Sequence, residues 1–112
     1  MALRWTLMKD SEILSLALRW RDAVVRRDAA AHAACYAADA VIESQGFGIG
    51  LGRAAIQRSV ERWFATFPDL RAEFDDEPVI SGDRVVDMFA FTGTDTGGLL
   101  GQAPTGRPFR LR

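Results

Sequence analysis

The sequence predicts an α+β fold in which three N-terminal helices precede a run of antiparallel strands. Three observations carry this prediction. Apolar residues recur at helical spacing in the first half of the chain, they alternate in the second half, and short turn sequences separate the alternating segments. The length of 112 residues predicts one domain over residues 1–112.

Three segments in the first half have helical spacing. The first has Ser11 as its expected N-cap, and its apolar face is formed by Ile13, Leu16, Ala17, Trp20 and Val24. Asp28 is expected to cap a second, alanine-rich helix that ends at Asp39. The third segment, residues 53–66, has the most regular apolar spacing, and Pro68 ends it.

The strands follow, apart from a short first strand expected at residues 40–43. Residues 70–80 alternate up to a tight turn, and a strand from Val85 to Thr96 comes next, so the two are expected to form an antiparallel hairpin. One face of the second strand would be wholly apolar without Asp87. Residues 109–112 resemble the start of another strand.

Two glycine-rich segments interrupt these elements. Residues 46–52 match neither spacing of the nucleotide-binding glycine motifs, so we expect a flexible connection anchored by Phe47, Ile49 and Leu51. In the loop after Thr96, the adjacent Leu99 and Leu100 are expected to be covered by other parts of the protein.

Composition excludes several classes of function. Fourteen basic residues balance fifteen acidic ones, which argues against a nucleic-acid partner. No apolar run approaches the roughly twenty residues of a membrane helix, and nothing resembles a signal peptide, so we expect a cytoplasmic protein.

The sequence has one cysteine, Cys35, and one histidine, His32, so neither an intramolecular disulfide nor a metal site is expected. Cys35 is interpreted as a buried structural thiol and His32 as a surface residue of the second helix.

Three stretches carry a resemblance to a known family. TFPDL, SGDRVV and FTGTDTGGLLGQAPTGR resemble the SnoaL-like polyketide cyclase group of the NTF2-like superfamily, over nearly the whole chain. The resemblance implies a cone in which three helices pack on a curved antiparallel sheet and leave a cavity at the open end. It also implies ring closure by an intramolecular aldol reaction without a cofactor, and a homodimer.

The same resemblance places an acid/base His and Asp on strands that follow the PTGR corner, beyond Arg112. Two interpretations stay open: the chain is a fragment that lacks the last strands, which we favour, or it is complete and lacks the catalytic residues. Asp87 and Asp95 are the catalytic candidates within the chain. Asp87 interrupts an apolar face, and the alternative for this carboxylate is that it reaches water or pairs with an Arg. Asp95 occupies a position where the family often has a His, and the alternative for it is a solvated strand end.

The remaining candidates are for substrate binding. Ring side chains are expected to converge on one cavity that suits a flat, hydrophobic, polycyclic molecule: Trp20, Tyr36, Trp63, Phe67, Phe89 and Phe91. Glu43 and Thr92 are expected beside them. Ser44 falls where ketosteroid isomerases place their base Asp, and because a hydroxyl cannot replace a carboxylate, that activity is disfavoured. The alternative to an enzyme is a non-catalytic module for small-molecule binding or dimerisation.

Overall fold

The computed structural model describes residues 9–44 and 48–112, and it confirms the α+β prediction. The helices in this part are α1 (Asp10–Val25), α2 (Ala29–Ala34) and α3 (Arg53–Thr66). The strands are β1 (Val41–Ser44), β2 (Gly48–Leu51), β3 (Arg71–Phe74), β4 (Val79–Ser81), β5 (Arg84–Val86), β6 (Phe89–Thr94) and β7 (Pro108–Leu111). A single 3₁₀ turn, Leu99–Gly101, lies between β6 and β7.

The strands form antiparallel ladders in which β6 is central. The order of the largest sheet is β3-β6-β7, while β1 pairs with β2 and β4 with β5. The strand expected at residues 109–112 is therefore confirmed as β7, which pairs with β6. The start of each expected helix and strand lies within about two residues of the observed one.

The long hairpin is confirmed, but its second strand is not continuous. β3 pairs with β6 and β4 with β5, so Asp87 and Met88 separate β5 from β6. Two features of the opposite arm explain the break. Pro78 has no N–H to donate to a ladder, and the carbonyl of Asp76 accepts a hydrogen bond from Arg21 of α1 instead of a strand partner. The hairpin bends at this point.

The ends of the first two helices correct two predictions and confirm a third. α1 begins at Asp10 with Lys9 at the N-cap and no side-chain cap, so Ser11 lies inside the helix. Asp28 caps α2 as expected, since its carboxylate accepts a hydrogen bond from the N–H of Ala31 at 2.9 Å. α2 ends at Ala34 rather than near Asp39.

The apolar face of α3 forms the centre of the core. Ile56 is fully buried, and the cluster around it consists of Val60, Trp63, Phe64, Phe67 and Leu70. Phe67 stacks on Phe109 of β7 with ring centroids 4.2 Å apart. This contact fixes the C-terminal end of α3 against the main sheet.

Arg27 joins the turn after α1 to the end of α3. Its backbone has a φ of 57°, and its guanidinium donates to the carbonyls of Phe64 and Phe67 at 2.8 and 3.1 Å. The last carbonyls of a helix have no partner inside the helix, and they carry the negative end of its dipole. The Arg27 side chain therefore satisfies these carbonyls and holds α1 and α3 together.

Within the first glycine-rich segment, the described residues form a strand rather than the expected flexible connection. Residues 48–51 form β2, and Ile49 and Leu51 are each 69% exposed, so they are not anchors; Phe47 lies outside the described residues. Gly50 is buried, and a Cβ there would lie 2.7 Å from the side chain of Ile42. Because Gly50 has no side chain, β2 can pack closely against Ile42 of β1.

The second glycine-rich segment packs closely against the end of α3. Leu99 is covered by the core cluster as expected, but Leu100 is 72% exposed. The Gly97 N–H donates to the carbonyl of Thr66 at 3.0 Å. A Cβ on Gly97 would lie 2.2 Å from the Ala65 carbonyl oxygen, so the approach requires glycine.

We expect Gly97→Ala to lower the free energy of unfolding by about 2 kcal/mol, because the new methyl group pushes the loop away from α3. Urea denaturation checks this value. Thr96→Ala, at the exposed neighbouring position, is the matched control, with an expected change within about 0.5 kcal/mol. Equal losses of unfolding free energy in the two variants would contradict the close approach of Gly97 to α3.

Candidate functional site

A cavity of about 240 Å³ lies between the three helices and the strands β1 and β6. Its walls are mostly apolar and aromatic, so water inside it would form few hydrogen bonds. Binding of a hydrophobic molecule is therefore favoured. The described residues that line it are Trp20, Val24, His32, Tyr36, Ile42, Glu43, Ser44, Val60, Trp63, Phe64, Phe89 and Phe91.

Six of the eight residues expected to bind substrate meet at this cavity: Trp20, Tyr36, Glu43, Trp63, Phe89 and Phe91. Phe67 is instead packed against Phe109 in the core. Thr92 lies on β6 one position from Phe91, so its side chain points to the opposite face of the sheet. A substrate contact for Phe67 or Thr92 stays a prediction without support from this geometry.

A second apolar cavity, of about 290 Å³, lies on the other side of a wall formed by Trp20, Tyr36 and Phe89. The indole N–H of Trp20 donates to the Tyr36 hydroxyl at 3.0 Å, which holds two parts of the wall together. Val85 and Asp87 line this cavity together with Phe89. These three residues therefore share a face, as the alternation predicted, although the strand is broken between them.

Asp87 is engaged in an ion pair. Arg21 of α1 donates to both carboxylate oxygens, through Nε at 2.9 Å and through Nη2. The Nη2 atom also donates to the carbonyl of Asp76 at 2.7 Å, and the guanidinium lies 4.8 Å from the ring centre of Phe74. The hydrogen bond to Asp87 raises the pKa of Arg21. The carboxylate therefore ties α1 to the bend of the hairpin, and a catalytic role for it stays a prediction.

Asp95 organises the loop between β6 and β7. Its carboxylate accepts hydrogen bonds from the N–H of Gly98 at 3.0 Å and from the hydroxyl and N–H of Thr105 at 2.9 and 3.2 Å. Desolvation raises the pKa of this carboxyl, but the donors from Thr105 and Gly98 outweigh it, and the pKa lies below its ordinary value. Asp95 is not among the described residues of the cavity, so its catalytic role also stays a prediction.

His32 is buried, and the expectation of a surface position is wrong. The side chain is 4% exposed and lies between Trp20 and Tyr36, with ring centroids 5.2 and 5.3 Å away. Burial lowers its pKa from 6.5 to about 4, so the imidazole is neutral at pH 7. Nδ1 has no hydrogen-bond partner among the described residues.

A sequence signal for this burial exists in the alanines of α2. A helix without large side chains can approach its neighbours closely, so a single large residue within it is enclosed by them. Tyr36 lies four residues after His32 and therefore on the same side. The spacing of polar residues around His32, taken alone, had favoured a solvent-exposed position for its side chain.

The polar groups of the cavity carry almost no charge. Glu43 is the only charged side chain among the described lining residues, and it is exposed. Burial raises the pKa of Tyr36, so its hydroxyl is protonated at neutral pH. The neutral polar side chains among the described lining residues are those of His32, Tyr36 and Ser44.

No group of three His, Cys, Asp or Glu side chains is placed to hold a metal ion within residues 9–44 and 48–112. Cys35 is partly buried rather than fully enclosed, and desolvation raises the pKa of its thiol. In the same part of the chain, no helix has the length and apolar character needed to cross a membrane.

The chain matches a protein family model described as the SnoaL-like domain, over residues 17–112. The match covers α2, α3 and all of the strands, together with most of α1. No curated protein matches the chain.

Several solved structures have a similar fold. AclR of Streptomyces galilaeus, provisionally named a hydroxylase, is 25% identical with a TM-score of 0.72; the alignment covers 91% of this chain and 63% of AclR. A protein from Catenulispora acidiphila with a ketosteroid isomerase-like fold, solved with trimethylamine, is 20% identical with a TM-score of 0.69, covering 85% and 68%. A protein from Jannaschia sp. CCS1, provisionally named a SnoaL-like polyketide cyclase, is 16% identical with a TM-score of 0.67, covering 86% and 71%.

We expect Asp87→Asn to lower the free energy of unfolding by about 2 kcal/mol, because it leaves the largely buried Arg21 without its countercharge. The two side chains are only 14% and 15% exposed. The control is Asp22→Asn, which breaks the exposed pair with Arg26 and should cost less than about 0.5 kcal/mol. Denaturant titrations of both variants decide whether the Arg21 contact is a structural tether.

We expect His32 to make the fold less stable in acid. Because its folded pKa of about 4 lies below 6.5, its contribution is complete above pH 6.5 and is lost as the pH falls towards 4. Between pH 7.5 and 4.5 the wild type should lose about 2 to 3 kcal/mol more than His32→Phe, because each pKa unit corresponds to about 1.36 kcal/mol. The free energies of unfolding are measured in urea as a function of pH. If those of the wild type and of His32→Phe change in parallel, the imidazole ring is not enclosed.

Proposed function

Because the chain belongs to the SnoaL-like domain family, we propose that it binds a small hydrophobic ring compound in the cavity and catalyses a cofactor-free acid/base reaction on it. The reaction class is cyclisation or isomerisation of a polyketide-type or other hydrophobic ring system. The observation that carries the proposal is an aromatic cavity whose few polar groups are almost all neutral. The polyketide substrate class is suggested by the provisional name of the Jannaschia neighbour.

The walls of the cavity favour a flat and compact ligand. Trp20 lies against Phe89, with ring centroids 5.5 Å apart, and Trp63 lies against Phe91 at 6.4 Å. Aromatic rings of this kind bury large apolar areas and stack on flat molecules. A volume of about 240 Å³ is below the usual range of roughly 300–1,000 Å³ for ligand pockets, so we expect a molecule of two or three rings.

The cavity also contains groups for proton transfer. The Tyr36 hydroxyl accepts the indole N–H of Trp20 and keeps its own proton to donate to a carbonyl oxygen of the ligand. Glu43 at the edge of the cavity offers a carboxylate that can take a proton from carbon next to that carbonyl. A donor and an acceptor on one ligand are what enolisation requires.

A non-catalytic module for binding or dimerisation is the second candidate. It is favoured by the contacts of Asp87 and Asp95, since one carboxylate is paired with Arg21 and the other holds a loop. In that case the cavity serves only to hold its ligand, and the expected homodimer is a further proposal.

A bicyclic ketone separates these alternatives. We expect the protein to bind 1-tetralone and to accelerate exchange of the protons next to its carbonyl in D₂O, both followed by ligand-observed NMR. Removing the acid with Tyr36→Phe should slow the exchange at least about tenfold, with little change in binding. Thr92→Val, on the opposite face of β6, is the matched control and should have no effect.

The possible outcomes are distinct. Binding with exchange that depends on Tyr36 supports the enzyme. Binding without accelerated exchange favours the binding module. Absence of binding would count against both functions and against the cavity as a ligand site.

A further inference from the structure

We propose that Trp20 is a positioning residue for the Tyr36 acid, because its indole N–H fixes the orientation of the Tyr36 hydroxyl and stabilises the charge that proton transfer leaves on the phenol oxygen. This inference rests on the proposed function, since it explains how the acid of that reaction is prepared. Trp20 is otherwise a wall residue of both cavities. One hydrogen bond and the packing of the indole carry the inference.

The hydrogen bond selects one orientation of the Tyr36 hydroxyl. The indole Nε1–H of Trp20 donates to the phenol oxygen at 3.0 Å, and an indole N–H can only donate. The proton of a phenol lies near the plane of its ring, on one side of the oxygen or on the other. Because Trp20 occupies one side, the Tyr36 proton takes the other and is directed away from the indole.

The same hydrogen bond acts on the charge of the phenol oxygen. Burial raises the pKa of Tyr36, and the hydrogen bond from Trp20 partly offsets this rise. A hydrogen bond to an ionised oxygen is roughly twice as strong as one to a neutral oxygen. The indole therefore stabilises the phenolate more than the phenol, and its contribution grows as Tyr36 gives up the proton. An interaction that strengthens in this way lowers the reaction barrier.

The indole of Trp20 is held in place by other rings. The ring centroids of His32 and Phe89 lie 5.2 and 5.5 Å from that of Trp20, and Phe74 meets it edge-on at 6.2 Å. The His32 ring also lies 5.3 Å from that of Tyr36, so it packs against both members of the hydrogen-bonded pair. A donor fixed by its surroundings needs no reorganisation when the proton moves.

The titratable groups near Tyr36 do not supply the same effect. Those among the described residues that line a cavity with it are His32, Glu43, Cys35 and Asp87. The charge of Cys35 raises the pKa of Tyr36, which makes the phenol a weaker acid. Trp20 acts in the opposite direction.

Alkaline difference spectroscopy tests the effect on the phenol oxygen. Tyr36 is the one tyrosine of the chain, so the phenolate absorbance reports its ionisation alone. In Trp20→Phe, which keeps an aromatic ring but has no N–H, Tyr36 should ionise at a higher pH than in the wild type. Trp63→Phe is the matched control, because it removes another indole from the cavity wall and leaves the donor of the hydrogen bond in place. It should titrate as the wild type does.

Proton exchange of 1-tetralone in D₂O tests the effect on the reaction. The ketone is kept at saturation, so that a change in affinity does not enter the rate. Trp20→Phe should exchange about fivefold more slowly than the wild type, which is the effect of one hydrogen bond. Adding Trp20→Phe to Tyr36→Phe should cause no further loss, because Trp20 acts through Tyr36.

A measurement on the unmutated chain makes the test independent of the folding of the variants. With 5-fluorotryptophan in place of tryptophan, the ¹⁹F signal of Trp20 should move as Tyr36 ionises, whereas the signal of Trp63 should not. The two Trp→Phe variants assign these signals. A Trp20 signal that does not respond to the ionisation of Tyr36 would contradict the hydrogen bond.

The failures can be told apart. Equal ionisation of Tyr36 in the wild type and in Trp20→Phe overturns the role of Trp20, and so does unchanged exchange in Trp20→Phe. Additive losses in the double variant also overturn it, since Trp20 then acts independently of Tyr36. In each of these cases the proposed function stands if Tyr36→Phe alone slows exchange. If the wild type does not exchange 1-tetralone, the proposed reaction is rejected, and the positioning role is rejected with it.

Discussion

Burial of the apolar face of α3 is the constraint on which the remaining structure depends. Ile56 is fully enclosed, and Phe67 stacks on Phe109 of the main sheet. At the same end of the helix, Arg27 and Gly97 satisfy backbone carbonyls, so the helix cannot move away without losing hydrogen bonds as well as contacts. These contacts fix one end of α3 against the sheet, and the cavity lies where α1 and α2 meet its other side.

The polar contacts decide the shape of that cavity rather than its existence. Arg21 connects α1 to the bend of the hairpin through Asp87 and the carbonyl of Asp76. The bend places Phe89 in the wall that Trp20 and Tyr36 complete. A charged pair of low exposure contributes little net stability on its own, but it fixes one arrangement, because any other leaves a charge uncompensated.

The chemistry of the cavity follows from what surrounds it. The acidic groups that stood out in the sequence are used elsewhere, Asp87 in an ion pair and Asp95 in a loop. The described polar side chains that line the cavity are neutral, apart from Glu43 at its edge. The chain belongs to the SnoaL-like domain family, and the few side chains that line this cavity set the chemistry that it can offer to a bound molecule.

Local sequence patterns determined the helices and strands of this protein. The spacing of apolar residues gave α3 its bounds, Asp28 gave α2 its start, and alternation placed Val85, Asp87 and Phe89 on one face. What only the tertiary structure decided was which partner each polar side chain meets. Arg21 and Asp87 are 66 residues apart in sequence, and His32 is enclosed by residues from other elements. Burial and pairing depend on long-range packing, which no local pattern encodes, so the charges and protonation states of the site could not be predicted with the fold.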